Sequence, residues 1–197
     1  MRPTALDEIP SNRVSCSGDS EIPGGGAMTK EQLQTAIDAV RTAIITEIKG
    51  QELYKTAAAK AEDPDARRMF EMLAEEEQGH KAYLERHYAS LMKTGAWAEN
   101  EPSERSKEKI EEFIIDDAFR RSLRRGEFEM AVVALAVDLE AKAVQFYKEV
   151  SRTAEDPETR KVFEHLVAWE EGHHRQFMAI ERELRDAYFA DRGFAPM

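Results

Sequence analysis

Cysteine is almost missing: Cys16 is the only one in 197 residues. One thiol forms no disulfide within a chain and cannot supply the sulfurs of a four-cysteine iron or zinc centre, so any metal here takes nitrogen and oxygen ligands. Positive charge is also short, with 28 Lys and Arg against 39 Asp and Glu, a net charge of -11. That balance leaves no basic stripe for a nucleic acid and favours cations. No apolar run approaches the ~18 residues of a membrane helix, and residues 1–28 lack the continuous apolar stretch of a signal peptide. A cytoplasmic protein with neither nucleic-acid nor membrane partner is expected. Residues 1–28, with Pro3, Pro10, Pro23 and Gly24-Gly25-Gly26, read as a disordered leader in which Cys16 is an exposed thiol.

The chain as a whole has 42% hydrophobic and 34% charged residues, the balance of a helix-rich domain with a full-sized core. It is organised around Glu77-Gln78-Gly79-His80 and an echo, Glu170-Glu171-Gly172-His173, 93 residues later. On a helix, Glu and His three positions apart lie one turn apart on one face, so each stretch offers a carboxylate and an imidazole to the same point. The same shift superimposes Glu47 on Glu140, Tyr54 on Tyr147 and Asp63-Pro64 on Asp156-Pro157. Between 47–80 and 140–173, 15 of 34 positions are identical, which marks an internal duplication.

Apolar spacing outlines the helices. Leu33, Ile37, Val40, Ile44 and Ile48 define one face of a first helix over 29–62, with Thr29 as its N-cap. Asp63-Pro64 breaks it, and a second helix runs to 93 through Met69, Phe70, Leu73, Leu84, His87 and Leu91. The pattern resumes near Glu127 with Met130, Val133, Val137, Val144 and Val150. After Asp156-Pro157 it continues to about 188 through Phe163, Leu166, Trp169, Phe177 and Ile180. The chain therefore divides into hairpins over 29–93 and 127–190 within one domain, 29–190, followed by a tail, 191–197. The link over 94–126, with a short helix predicted within 107–125, is too long for a tight turn and long enough to return along a bundle. The expected fold is all-α: a ferritin-like four-helix bundle made of two duplicated hairpins and a long crossover.

Counted from the two turns, Glu47, Glu77 and His80 reach one height, as do Glu140, Glu170 and His173, all near mid-helix. Glu77 lies one turn from Leu73 and His80 one turn from Leu84, so both point where apolar side chains belong. Four buried carboxylates need neutralising, and two divalent cations supply the charge while neutral imidazoles supply nitrogen. Such a donor set suits iron or manganese better than zinc. The bland reading keeps the carboxylates protonated or hydrated in a purely structural core. Other features read as ordinary: Glu75, Glu76 and Glu171 as a solvated face, His165 and His174 as surface groups, His87 as a core histidine, Trp97 and Trp169 as packing. Gly79 and Gly172 suggest either a need for space beside the ligands or shared ancestry.

On these residues the chain, over about 30–190, resembles the rubrerythrin-like branch of the ferritin-like superfamily. The resemblance implies Glu47 and Glu140 as terminal ligands of two irons, Glu77 and Glu170 as bridging carboxylates, and His80 and His173 as one nitrogen ligand each. It also implies that Tyr54 and Tyr147 hydrogen-bond ligand carboxylates. It implies a non-haem di-iron oxidoreductase reacting with O2 or H2O2, of peroxidase or ferroxidase type, and often a dimer. The alternatives are an iron-binding or storage module without turnover, alone or in a larger oligomer, and a structural bundle. Two departures stand out. Rubrerythrins usually carry another glutamate one turn after the third-helix ligand, where this chain has Ala143, with Gly50 as its counterpart; the carboxylate exchange tied to that glutamate does not carry over. Their paired Cys-x-x-Cys rubredoxin domain has no match here either, so electrons are expected from a separate donor protein.

Overall fold

The computed structural model describes residues 28–99 and 127–191, which form four helices and, among them, no strand. These are α1 (Lys30–Lys60), α2 (Pro64–Thr94), α3 (Glu127–Thr153) and α4 (Pro157–Asp191). Nearly all of the expected leader and tail, the helix predicted within 107–125 and most of the crossover lie outside the described residues. No described helix is long and apolar enough to cross a membrane.

Local chemistry sets the ends of the helices. Thr29 and Gln32 cap α1 reciprocally, the Gln32 amide donating to Thr29 Oγ1 and the Thr29 amide to Gln32 Oε1. Asp63 Oδ1 accepts from the amides of Asp65 and Ala66 at 2.8 and 3.2 Å, with Pro64 where a missing N–H costs nothing. Its duplicate Asp156 accepts the Thr159 amide at 2.7 Å. Each turn is closed again by a repeated arginine, Arg67 donating to the Ala61 carbonyl at 2.8 Å and Arg160 to the Ala154 carbonyl at 3.0 Å. Gly95 ends α2 with φ of 70°, the left-handed conformation that glycine adopts without a Cβ clash.

Three cross-hairpin pairs establish the topology. Tyr54 meets Glu140, Tyr147 meets Glu47, and Gln32 meets Glu155. Residue numbers rise in α1 as they fall in α3, so these helices are antiparallel. Since α2 is also antiparallel to α1, α2 and α3 run the same way, so the end of α2 and the start of α3 lie at opposite ends of the bundle, about 45 Å apart for a 31-residue helix. This is the ferritin-like arrangement, two hairpins with a crossover, rather than an up-down-up-down bundle.

The core is split in two. One apolar cluster gathers Tyr54, Ala57, Met69, Phe70, Leu73, Val133, Ala136, Phe177 and Ile180. The other gathers Val40, Ala43, Leu84, Leu91, Tyr147, Phe163, Leu166 and Trp169. Between them in every helix stand the polar positions 47–51, 77–80, 140 and 170–173, which the clusters seal from both ends. The expected apolar stripe of α1 needs correcting. Ile48 is 40% exposed, and the buried face runs instead through Ala36, Val40, Ala43, Glu47, Gly50 and Tyr54. Close packing of α1 against α2 selects alanine and glycine along the contact line and pushes the isoleucines to its margin.

Candidate metal centre

The structure brings all six sequence-selected donors into this middle layer, and none is more than 4% exposed. Glu47 comes from α1, Glu77 and His80 from α2, Glu140 from α3, and Glu170 and His173 from α4. Ligand-capable atoms of Glu77, His80, Glu170 and His173 all lie within 4.8 Å of one another. His80 Nδ1 is 3.1 Å from Glu170 Oε1, 3.3 Å from Glu47 Oε2 and 4.0 Å from Glu77 Oε2. His173 Nδ1 is 3.3 Å from the other oxygen of Glu170. Glu170 thus faces both imidazoles.

Two tyrosines tie down the remaining carboxylates. Tyr54 donates its hydroxyl to Glu140 Oε1 at 2.8 Å, and Tyr147 donates to Glu47 Oε1. Each bond crosses from one hairpin to the other. Burial, reinforced by the neighbouring carboxylates, holds both phenols well above their usual range, so they stay protonated as donors.

The charge state is strained. Burial, then the charges of Glu140 and Glu47, push the Glu77 carboxyl well above the usual carboxylate range. Burial and Glu170 do the same to Glu140. Burial would also raise Glu170, but His80 and His173 together hold it well below that range. His80, which burial alone would deprotonate, is driven up by Glu170 and Glu47. In the metal-free cluster the surroundings thus favour the protonated forms of Glu77, Glu140 and His80 and the ionised form of Glu170.

Bound metal fits this donor set. Glu77 Oε1, both oxygens of Glu170, His80 Nδ1 and His173 Nδ1 are buried without an aligned hydrogen bond, although they face one another at short range. Among the described residues, the cationic groups in ion-pair range of these carboxylates are the two imidazoles. Orphaned acceptors clustered around a common space are costly unless something cationic fills it. The backbone leaves that space open: a Cβ on Gly50 would lie 3.0 Å from both Cδ and Oε2 of Glu77.

A family model described as Rubrerythrin matches residues 38–181. The chain belongs to the rubrerythrin family. No curated protein and no solved structure matches it. For a rubrerythrin, the layer holds two surprises. Gly79 and Gly172, expected either to make room beside the ligands or to reflect ancestry, have open space where a side chain would start: among the described residues, a Cβ on either would meet nothing within 4 Å. Their repetition therefore reflects the duplication and not crowding. The space-making glycine is Gly50, whose counterpart Ala143 carries the methyl group. Its signal in the sequence is that it alone among the glycines of the duplicated segment does not recur, one turn after Glu47.

Trp169 is also more than packing, because its indole lies flat on the His80 ring, centroids 4.7 Å apart and planes at 7°. His165 is half-buried, not at the surface, with its ring 4.3 Å from Trp169, and His174 is half-buried too. His87 is fully buried, as a core histidine should be. Beside the cluster, Gln51 is buried and donates to Gln78 Oε1 at 2.7 Å, closing the seam between α1 and α2.

The protons just described give the metal-free protein a definite pH dependence. Glu77, Glu140 and His80 have folded-state values above their ordinary ones, so their contribution is full at low pH and is lost as pH rises through those values. Glu170, shifted down, loses its contribution only on strong acidification. The two carboxyls act above their ordinary value of 4.5 and His80 above its ordinary 6.5, so the melting temperature of chelator-treated protein is expected to fall with rising pH, most steeply above 6.5 where all three act. Thermal melts at several pH values check this; a flat or rising profile refutes it.

Proposed function

We propose that Glu47, Glu77, His80, Glu140, Glu170 and His173 hold two iron ions, and that the loaded centre reduces O2 or H2O2. The observation that carries this reading is the set of five orphaned donor atoms, buried in one layer and drawn from both Glu-x-x-His pairs. Family membership supports it independently. Manganese suits the same oxygen-rich set and is the natural competitor.

Bound iron would supply the redox chemistry, passing electrons to the oxygen species. The chain's part is to bind, orient and keep water out. Glu170, facing both imidazoles, and Glu77, packed in the space that Gly50 leaves, would be among the residues that hold the iron. Tyr54 and Tyr147 fix the rotamers of Glu140 and Glu47 through their hydroxyls, and the two apolar clusters exclude bulk solvent. Proton release from Glu77 and Glu140 accompanies metal binding, so affinity should fall as the medium is acidified. The duplication completes the centre within one chain, so no second copy is needed for the six donors. A separate donor protein would return the electrons.

Elemental analysis of protein loaded with Fe(II) without oxygen, followed by stopped-flow mixing with O2 and with H2O2, tests the reading. Two irons per chain and rapid oxidation by one of the oxidants are expected. Uptake of many more irons favours storage, and no bound iron leaves only a structural bundle. Tyr54→Phe, which frees Glu140 without emptying the core, is expected to weaken metal binding on the order of tenfold in a competition titration. An unchanged affinity would show that the hydroxyl does not orient the ligand.

A further inference from the structure

The largest concentration of oxidisable side chains outside the six donors leads away from one of them. From His80 the rings run to Trp169, then to Tyr83 with centroids 5.2 Å apart, to His87 at 4.5 Å and to Trp97 at 5.3 Å. Trp169, Tyr83 and His87 are buried, and Trp97 is half-exposed just beyond the end of α2. Followed from ring to ring, the path is about 20 Å long. Electron tunnelling weakens steeply with distance, and rings in van der Waals contact are its favourable case.

The duplication shows that this path is not inherited packing. Shifted by 93 residues, Trp169 corresponds to Glu76, Tyr83 to Gln176, His87 to Ile180 and His165 to Met72. The donors are repeated in both halves, whereas the aromatic path exists on one side only.

Its outer end is equipped to handle a proton. Trp97 Nε1 donates to Asp156 Oδ2 and to Thr159 Oγ1, both at 3.2 Å. One-electron oxidation makes the indole N–H far more acidic, and the Asp156 carboxylate is in place to take its proton. In the middle, the Arg86 guanidinium sits 5.4 Å from the centre of the Tyr83 ring and opposes positive charge there. Burial, against the pull of Arg86, pushes the Tyr83 hydroxyl up to about 12, so it keeps its proton. Tyr83 and His87 therefore bridge, and Trp97 is where an electron vacancy comes to rest.

We propose that Trp169, Tyr83, His87 and Trp97 form a one-electron relay that supplies the centre from Trp97 when too few ferrous ions are present to reduce a peroxide. This rests on the di-iron reading above. Peroxide needs two electrons and two protons to become two waters. One electron comes from a single ferrous ion, which becomes ferric. The other comes from Trp97, which becomes a neutral indolyl radical as its Nε1 proton passes to Asp156; solvent provides the two protons for water. A small one-electron reductant of the thiol or ascorbate class, meeting the exposed edge of Trp97, returns the electron, and Asp156 returns the proton.

The test uses the full chain loaded with one Fe(II) per chain, mixed with H2O2 and freeze-quenched for electron paramagnetic resonance, with bound iron measured in the same samples. A tryptophanyl radical that narrows on ring-deuteration of tryptophan is expected, and Trp97 should be the residue found oxidised by peptide mass spectrometry. Trp97→Phe should remove that signal, leaving a radical on Trp169 or Tyr83. Trp169→Phe should cut Trp97 oxidation per bound iron at least tenfold. Tyr83→Leu, away from the six donors, should do the same and guards against disturbance of His80. Iron bound and oxidised by peroxide with no aromatic radical, or Trp97 oxidation unaffected by both interruptions, overturns the relay alone. Absence of bound iron overturns the relay together with the di-iron reading, because the path then has no origin.

Discussion

Glu77→Gln combined with Glu170→Gln is expected to yield a folded four-helix bundle that binds less than about a tenth of the wild-type iron, since the pair supplies half of the negative charge that two cations require. The single changes should separate in the metal-free protein. The surroundings of Glu77 favour its protonated form, so its amide replacement is close to a neutral isostere and should shift stability little. The surroundings of Glu170 favour its ionised form and it faces both imidazoles, so Glu170→Gln should cost on the order of 2 kcal/mol, less than a fully broken buried pair because the amide oxygen still accepts. Calorimetry of the chelated variants beside elemental analysis checks both halves of this expectation. Equal destabilisation by the two single changes would show that the charge is not concentrated on Glu170.

Gly50→Ala should uncouple metal affinity from fold stability. Alanine is preferred over glycine inside a helix by about 1 kcal/mol, which favours α1. The added methyl meets Cδ and Oε2 of Glu77 at 3.0 Å, closer than the carboxylate tolerates without moving. Because those atoms end a flexible side chain, the metal-free fold yields cheaply and its melting temperature should hold or rise. The displaced carboxylate is a worse ligand, and affinity should drop at least tenfold, read by competition with a metallochromic chelator. A variant that binds iron as well as the wild type would mean that the open space serves no ligand.

The donors are legible in the sequence because buried charge is conspicuous in an amphipathic pattern: Glu77, His80, Glu170 and His173 stand where leucines should, and the duplication doubles the signal. The helix ends are equally plain, since Asp63-Pro64 and Asp156-Pro157 each combine a cap with a first-turn proline. What stays hidden depends on how helices approach each other. The isoleucines of α1 point to the wrong inner face, because at a close contact alanine is buried and larger side chains are displaced sideways. Gly50 and Trp169 escape notice for a related reason. Their importance lies in what sits across the interface, the Glu77 carboxylate and the His80 ring, and no spacing within one helix reports that.

The crossed tyrosine bonds have a consequence for origins. Since Tyr54 reaches the glutamate of the second half and Tyr147 that of the first, a half-length chain could satisfy these pairs only by meeting another copy of itself. Fusion of two such copies would have released each from having to serve both roles, so that one half can carry Trp169 where the other carries Glu76.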